Sequence, residues 1–171
     1  MAATRATELV SDMLELARLD PGQTIPRRAP LRLDLLAEEV AAMTNTAAVS
    51  VTALIADAVV VDADYGLLRQ AMENVVRNAT RRAATVEISV RVNGAEAVVE
   101  VSDDGPGFTA ELLTTVFDRF RRGDHEHDRE GAGLGLAIRQ TIMAAHGGSA
   151  SADNRPLRGA IVRLTMPKAR Q

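Results

Sequence analysis

Apolar side chains recur with two different periods along this chain, and the switches between them outline its elements. From about Thr4 to Leu19, Leu9, Val10, Met13, Leu14 and Ala17 return at helical spacing, and Glu8, Asp12, Glu15 and Arg18 fill the gaps. Asp20-Pro21-Gly22 stops that helix, and Gln23 to Pro30, with two prolines and two arginines, reads as a linker. Leu31 to Met43 reads as a short strand entering a helix, with Asp34 as the N-cap. Val49 to Ile55 and Val59 to Val61 read as strands around an Asp57-Ala58 turn. Asp64 to Arg82 is the next helix, with Leu67, Leu68, Ala71, Met72, Val75 and Val76 on its apolar side. The period then becomes two: Val86, Ile88, Val90 and Val92 alternate with polar residues. Asn93-Gly94 signals a hairpin, and the return strand carries Val99 and Val101 into Asp103. A last helix runs to about Ala145, where His146-Gly147-Gly148 stops it and His146 acts as a structural cap. Ser149 to Ala152 and Ala160 to Met166 add two strands around Asn154-Arg155-Pro156. The sum is an α/β two-layer sandwich: a mixed, largely antiparallel sheet with helices on one face.

Composition narrows this picture. At 171 residues the chain is long enough for one solid core. Aromatics are only 2%, so that core must be built from Leu, Val, Ile and Ala. The net charge of -3 gives no electrostatic reason to expect nucleic acid. Without cysteine there is neither a disulfide framework nor a thiolate metal site. No apolar run reaches the roughly 18–20 residues that cross a bilayer, and no signal peptide is visible, so a soluble piece is expected.

Four short segments carry candidate chemistry. In Gly131-Ala132-Gly133-Leu134-Gly135-Leu136, glycines alternate just before a helix. Such a loop lets main-chain N–H groups close on an anion at the positive end of the helix, although a tight turn would look the same. In Asp103-Asp104-Gly105-Pro106-Gly107, a carboxylate follows a buried strand and can accept a hydrogen bond from an amino group. The plain alternative there is a surface turn. Asn74 and Asn78 lie four apart on one helix and share a face, and amide oxygen is a hard ligand suited to Mg²⁺. Phe117 and Phe120 are two of only three phenylalanines, and packing alone would account for them. Between them and the glycines, Gly123 to Glu130 is almost entirely charged and cannot bury itself; its His125 and His127 read as solvated rather than as metal ligands.

The order of these segments resembles the ATP-binding catalytic domain of two-component sensor histidine kinases, within the GHKL superfamily. The resemblance implies a Bergerat-type ATP-binding fold over residues 31–168. It also implies that residues 1–22, ending Leu16-Ala17-Arg18-Leu19-Asp20-Pro21-Gly22, are the end of the second helix of a dimerisation and phosphoacceptor domain, with 23–30 as the linker. ATP and Mg²⁺ are the implied cofactors. Asn78 becomes the direct Mg²⁺ ligand, Asn74 supports the metal's water shell, and Arg81 contacts phosphate. Asp103 selects adenine, with Gly105 and Gly107 keeping the backbone close and Asp104 a solvated neighbour. Phe117 and Phe120 anchor a lid over the nucleotide, and Arg122 faces the phosphates or the incoming histidine. Gly131, Gly133, Leu134, Gly135 and Leu136 complete the nucleotide site. Asn74, Asn78 and Arg122 are the implied catalytic residues.

The sequence also departs from that family. No histidine here sits in a phosphoacceptor context, so the chain is not expected to phosphorylate itself. It looks like the catalytic portion of a cytoplasmic region from a membrane-anchored sensor. The expected partners are ATP or ADP, the phosphoacceptor-histidine domain and a response regulator. Nucleic acid and direct membrane contact are not expected, and the state would be a monomer or weak dimer. Arg81-Arg82-Ala83 and Arg121-Arg122 replace aromatic or imidazole side chains with positive charge. The alternatives are a GHKL-type ATPase, an anti-sigma-type serine kinase and a non-catalytic nucleotide-binding module. The hydrolytic branch needs a Glu where Asn74 stands; Glu73 is one residue away, about 100° around the helix, and is a candidate base toward the acceptor histidine.

Overall fold

The computed structural model describes residues 26–115 and 135–169. The helix expected over Thr4–Leu19 and the charged run Gly123–Glu130 lie outside the described residues. Strand β1 (Ala29–Arg32) enters helix α1 (Leu33–Thr44), followed by β2 (Ser50–Ile55) and β3 (Val60–Ala63). Helix α2 (Tyr65–Thr80) leads to β4 (Thr85–Asn93) and β5 (Glu96–Asp103). A short helix α3 (Ala110–Thr115), helix α4 (Gly135–Ala145), β6 (Ser149–Asn154) and β7 (Ala160–Pro167) follow.

The main sheet has the order β2-β4-β5-β7-β6. Its β2–β4 pair is parallel and its other pairs are antiparallel. Alternation decides which face is covered. Val86, Ile88, Val90, Val99, Val101 and Leu164 are buried in one cluster with Leu36 and Val40 of α1, Leu68, Met72 and Val76 of α2, and Ile142 and Met143 of α4. The opposite face is mainly polar, although it includes the buried Val98: Arg163 Nε lies 2.8 Å from Glu100 Oε2, directly across the β5–β7 pair. The Asn93-Gly94 signal holds, because Asn93 pairs with Glu96 and Gly94 takes φ +62°. A glycine at that first loop position is what a type II′ turn requires.

One pairing was left open by the sequence, and one expectation needs correction. The strands flanking Asp57-Ala58 do not pair with each other. Strand β2 joins the main sheet beside β4, whereas β3 pairs antiparallel with β1 in a separate two-stranded sheet. Both runs have strand character, but periodicity carries no information about the partner. Nor is Asp34 the N-cap of α1: Arg32 holds that position, and Asp34 lies in the first turn. There its buried carboxylate accepts from the Val59 N–H at 3.1 Å and from the Arg32 guanidinium at 2.9 Å, tying the helix to the β2–β3 connection.

The helix ends are fastened to one another. Asp64 caps α2 by accepting from the Leu67 N–H at 3.1 Å, and it also accepts from the Arg27 N–H at 2.8 Å. Burial pushes its carboxyl up, but the N–H groups of Leu67, Arg27 and Gly66 outweigh that and hold it below the ordinary value. His146 is buried, with Nδ1 2.8 Å from the Ile142 carbonyl and Nε2 3.0 Å from the Asp64 N–H. A carbonyl cannot donate and an N–H cannot accept, so the ring hydrogen sits on Nδ1. This agrees with a structural cap, and it also joins the end of α4 to the start of α2. Arg28 Nη2 donates to the Ala145 carbonyl at the same end of α4, at 2.6 Å. Between α1 and α2, Tyr65 Oη donates to Glu39 Oε1 at 2.7 Å, and Arg69 Nε lies 2.7 Å from Glu73 and 3.8 Å from Glu39.

The Arg32 guanidinium beside Asp34 outweighs burial, and the Val59 N–H helps, so the carboxyl falls from its ordinary 3.8 to about 2. A folded value below the unfolded one means the ion's stabilisation is complete above about pH 4 and fades as pH falls toward 2. Asp34→Asn is therefore expected to cost on the order of 1–2 kcal/mol at neutral pH. In urea denaturation across pH, the gap between wild type and variant should close below pH 4; a gap that stays constant would show that charge is not what Asp34 contributes.

Candidate functional site

Asp103 is the last residue of β5, and its carboxylate is divided between two tasks. Oδ1 accepts from the Gly105 N–H at 2.9 Å and the Ala160 N–H at 3.2 Å. Among the described residues, none donates to Oδ2. A carboxylate held by one oxygen on two main-chain donors presents the other as a fixed acceptor. The glycines after it are required by space. A Cβ on Gly105 would stand 2.9 Å from Asp103 Oδ1 and 3.1 Å from the Arg82 carbonyl, which brings the segment just after α2 against this loop. Gly107 has φ +79°, and its Cβ would meet Asn154 Oδ1 at 2.7 Å.

Asp104 is half-exposed, and it is also bonded to the main chain. Its Oδ1 accepts from the Ala84 N–H at 2.9 Å and the Thr85 N–H at 3.1 Å. The bond from Thr85, with that from Ala84, holds the carboxyl below the usual range against the small cost of burial. Of the two adjacent carboxylates, Asp104 organises the start of β4 and Asp103 faces the glycine loop.

Asn74 and Asn78 stand one turn apart on α2 at different depths. Asn74 is buried and Asn78 is exposed. Asn74 Oδ1 accepts from Arg77 Nη2, which leaves that oxygen one further lone pair. Its Nδ2 is buried and, among the described residues, has no hydrogen-bond partner. Such an orphaned donor costs roughly 1–3 kcal/mol unless something fills the site. Glu73 is committed to its ion pair with Arg69 at 2.7 Å. Arg81 forms the C-cap of α2, and Arg82 follows it. Among the described residues, no three of His, Asp or Glu cluster as a metal cage. A divalent cation here would rely on amide oxygen and on oxygens brought by a ligand.

Asn74, Arg81, Asp103, Gly105 and Gly107 are thus arranged around α2 and the loop after β5. Gly135 begins α4 and Leu136 follows in its first turn. Phe117, Phe120, Arg122, Gly131, Gly133 and Leu134 lie outside the described residues. The β6–β7 loop is the part that sequence reasoning missed. Gly159 has φ +106°, and a Cβ there would lie 1.8 Å from the Asp103 carbonyl oxygen. Arg155 Nη1 donates to that same oxygen at 3.3 Å, and Arg158 Nε to the Gly105 carbonyl at 3.3 Å. Asn154 donates to the Phe108 carbonyl and accepts from its N–H, both at 2.7 Å. A glycine at the mouth of a strand was the available signal, since it often marks close backbone approach.

The family model described as histidine kinase-, DNA gyrase B- and HSP90-like ATPase matches residues 63–170, which hold α2, the Asp103 loop and everything after it. The chain belongs to this ATPase family. Within the family it is 36% identical over 170 residues to the probable sensor histidine kinase HK of Mycobacterium tuberculosis, covering 97% of this chain and 44% of that protein. It therefore spans less than half of that relative's length. It is 38% identical over 139 residues to the sensor histidine kinase component HK1 of Mycobacterium tuberculosis, covering 80% of this chain and 81% of that one. Among solved structures it is similar to full-length ShkA in complex with AMPPNP, with a TM-score of 0.81 and 27% identity over 95% of this chain and 36% of that chain. The α/β sandwich of this ATPase-family chain, with its mixed, mainly antiparallel sheet, is the fold of histidine kinase ATP-binding domains.

Two glycines with positive φ separate strain from collision. Gly159→Ala is expected to cost about 3 kcal/mol or more, because the chain cannot adopt the angle and the Asp103 carbonyl occupies the space. Gly94→Ala, at φ +62° with nothing within 4 Å, should lose about 1–2 kcal/mol. Urea unfolding of the two variants compares them directly, and equal losses would mean that the Gly159–Asp103 approach contributes nothing.

Proposed function

We propose that this chain is the ATP-binding catalytic portion of a sensor histidine kinase, taking Mg-ATP and passing its γ-phosphoryl group to a histidine on a phosphoacceptor domain. The observation that carries the reading is the divided Asp103 carboxylate: Oδ1 bound to the Gly105 and Ala160 N–H groups, and Oδ2, to which none of the described residues donates, left to accept. A 6-amino purine offers the matching donor, and Gly105 and Gly107 allow its ring to approach the main chain. The nucleotide named with ShkA, AMPPNP, is an adenine nucleotide and supports the same choice.

The residues present fit the group. Asn78, exposed on α2, would hold Mg²⁺ through its amide oxygen, and Asn74 would use its second lone pair and its orphaned Nδ2 toward the metal's water and the phosphates. Arg81 would neutralise phosphate charge. When bound, Mg²⁺ neutralises charge that develops on the transferring phosphoryl group. The chain's own contribution is positioning and electrostatics, since the acceptor imidazole supplies the nucleophile. The N–P bond forms there as the bond to the ADP oxygen breaks. A hydrolytic role is disfavoured, because Asn74 cannot activate water as a carboxylate would, and Glu73 is held by Arg69. The domain extents of 1–22, 23–30 and 31–168 belong to the same proposal, as do the cytoplasmic setting, the acceptor domain and the response regulator.

Calorimetric titration with ATP and ADP, with and without Mg²⁺, tests the reading. The chain is expected to bind both nucleotides. Asp103→Asn should weaken binding by about ten- to a hundredfold, the worth of a hydrogen bond to a charged group. Asn78→Ala should remove the Mg²⁺ dependence while leaving adenine binding. Phosphotransfer from the loaded chain to a supplied phosphoacceptor domain completes the test. Binding without transfer would leave a nucleotide-binding module, and no binding at all would overturn the proposal.

A further inference from the structure

The end of β6 and the loop that follows it, residues 154–159, hold the Asp103 loop along its length, but their contacts are unequal. Arg155 and Arg158 reach main-chain carbonyls from exposed, flexible side chains, each at 3.3 Å. Asn154 is different. Both polar atoms of its amide meet the main chain of Phe108 at 2.7 Å, one accepting and one donating. That closes a ring like the pairing of a neighbouring strand, and it joins segments 46 residues apart. Among side chains of this length, only a primary amide both donates and accepts in that way.

What the ring holds follows from the local chain. Phe108 packs against the apolar core. Gly107 lies just before it, and the space a Cβ would need is taken by Asn154 Oδ1 at 2.7 Å. The segment from Asp103 to Phe108 is therefore anchored at one end by β5 and the Gly159 approach, and at the other by Asn154. Without the second anchor, Gly105 and Gly107 leave the loop free to pivot, and Asp103 Oδ1 draws one of its two donors from that loop.

We infer that Asn154 is a positioning residue of the nucleotide site: by fixing the main chain at Phe108 it sets the attitude of Asp103 toward the 6-amino group of a purine. The inference rests on the adenine reading of Asp103 given above. It assigns to a residue outside the expected motifs a part in selecting the base rather than in binding phosphate.

The test compares the whole chain with its Asn154→Ala and Asn154→Asp variants in binding Mg-ATP and Mg-ITP, the latter carrying a 6-oxo group in place of the amino group. Wild type should prefer ATP, as a site built to bond an N–H rejects the analogue lacking it. Asn154→Ala should narrow the ATP-to-ITP ratio by about tenfold, with ITP affinity little changed. Asn154→Asp keeps the acceptor for the Phe108 N–H but sets an oxygen against the Phe108 carbonyl, so it should narrow the ratio too. It keeps the shape of the side chain, so it serves as the reading if the alanine variant does not fold. Equal weakening of ATP and ITP, or an unchanged ratio in a wild type that discriminates, would overturn the inference alone. A wild type that binds ATP and ITP equally would overturn the adenine reading of Asp103, and the inference with it.

Discussion

Where the main chain at Gly159 passes over the Asp103 carbonyl, two strand ends are brought closer than any side chain permits. A Cβ would lie 1.8 Å from that oxygen, so the contact exists only because residue 159 has none. From it follows the bond from the Ala160 N–H to Asp103, and with that bond the orientation of the carboxylate. The register of β5 against β7, with Ser102 opposite Ile161, runs directly into this crossing. The carboxylate on which the proposed nucleotide site depends is thus seated where a side chain on residue 159 would not fit.

The remainder of the fold serves to keep that seat in place with modest materials. Aliphatic side chains fill the space between the sheet and α1, α2 and α4, because aromatics are nearly lacking. Small branched residues bury less area each, so close packing and the fastening of helix ends must supply what large rings would otherwise supply. The links among Arg27, Arg28, Asp64 and His146 do this at the junction of α2 and α4. Asp34 does the same where α1 meets the β2–β3 connection. In both places a carboxylate or an imidazole satisfies main-chain groups that a helix end or a connection leaves open.

Much of this was legible in advance, and the limits have physical causes. The alternation in β4, the Asn93-Gly94 turn and the apolar stripe of α2 are local signals, and each element lies where its signal placed it. The pairing of β3 with β1 was not legible, because a short apolar run says nothing about its partner. Asp103 and the glycines after it stood out as a cluster, but their neighbour Asp104 could not be separated from solvent until Ala84 and Thr85 were seen beside it. Asn154 and Gly159 were hidden for the same reason. In sequence they look like ordinary turn residues, and their importance lies entirely in contacts with Phe108 and Asp103, far away along the chain.

The polar seam between α1 and α2 has an optical consequence. The chain contains no tryptophan and a single tyrosine, Tyr65, whose hydroxyl donates to Glu39 at 2.7 Å. Excited at wavelengths beyond the phenylalanine band, its near-ultraviolet emission therefore originates at one point, on the first residue of α2, in contact with a carboxylate from α1. Without any label, the fluorescence of this molecule reports whether those two helices remain together at that point, and it does so against a background that the rest of the chain leaves dark.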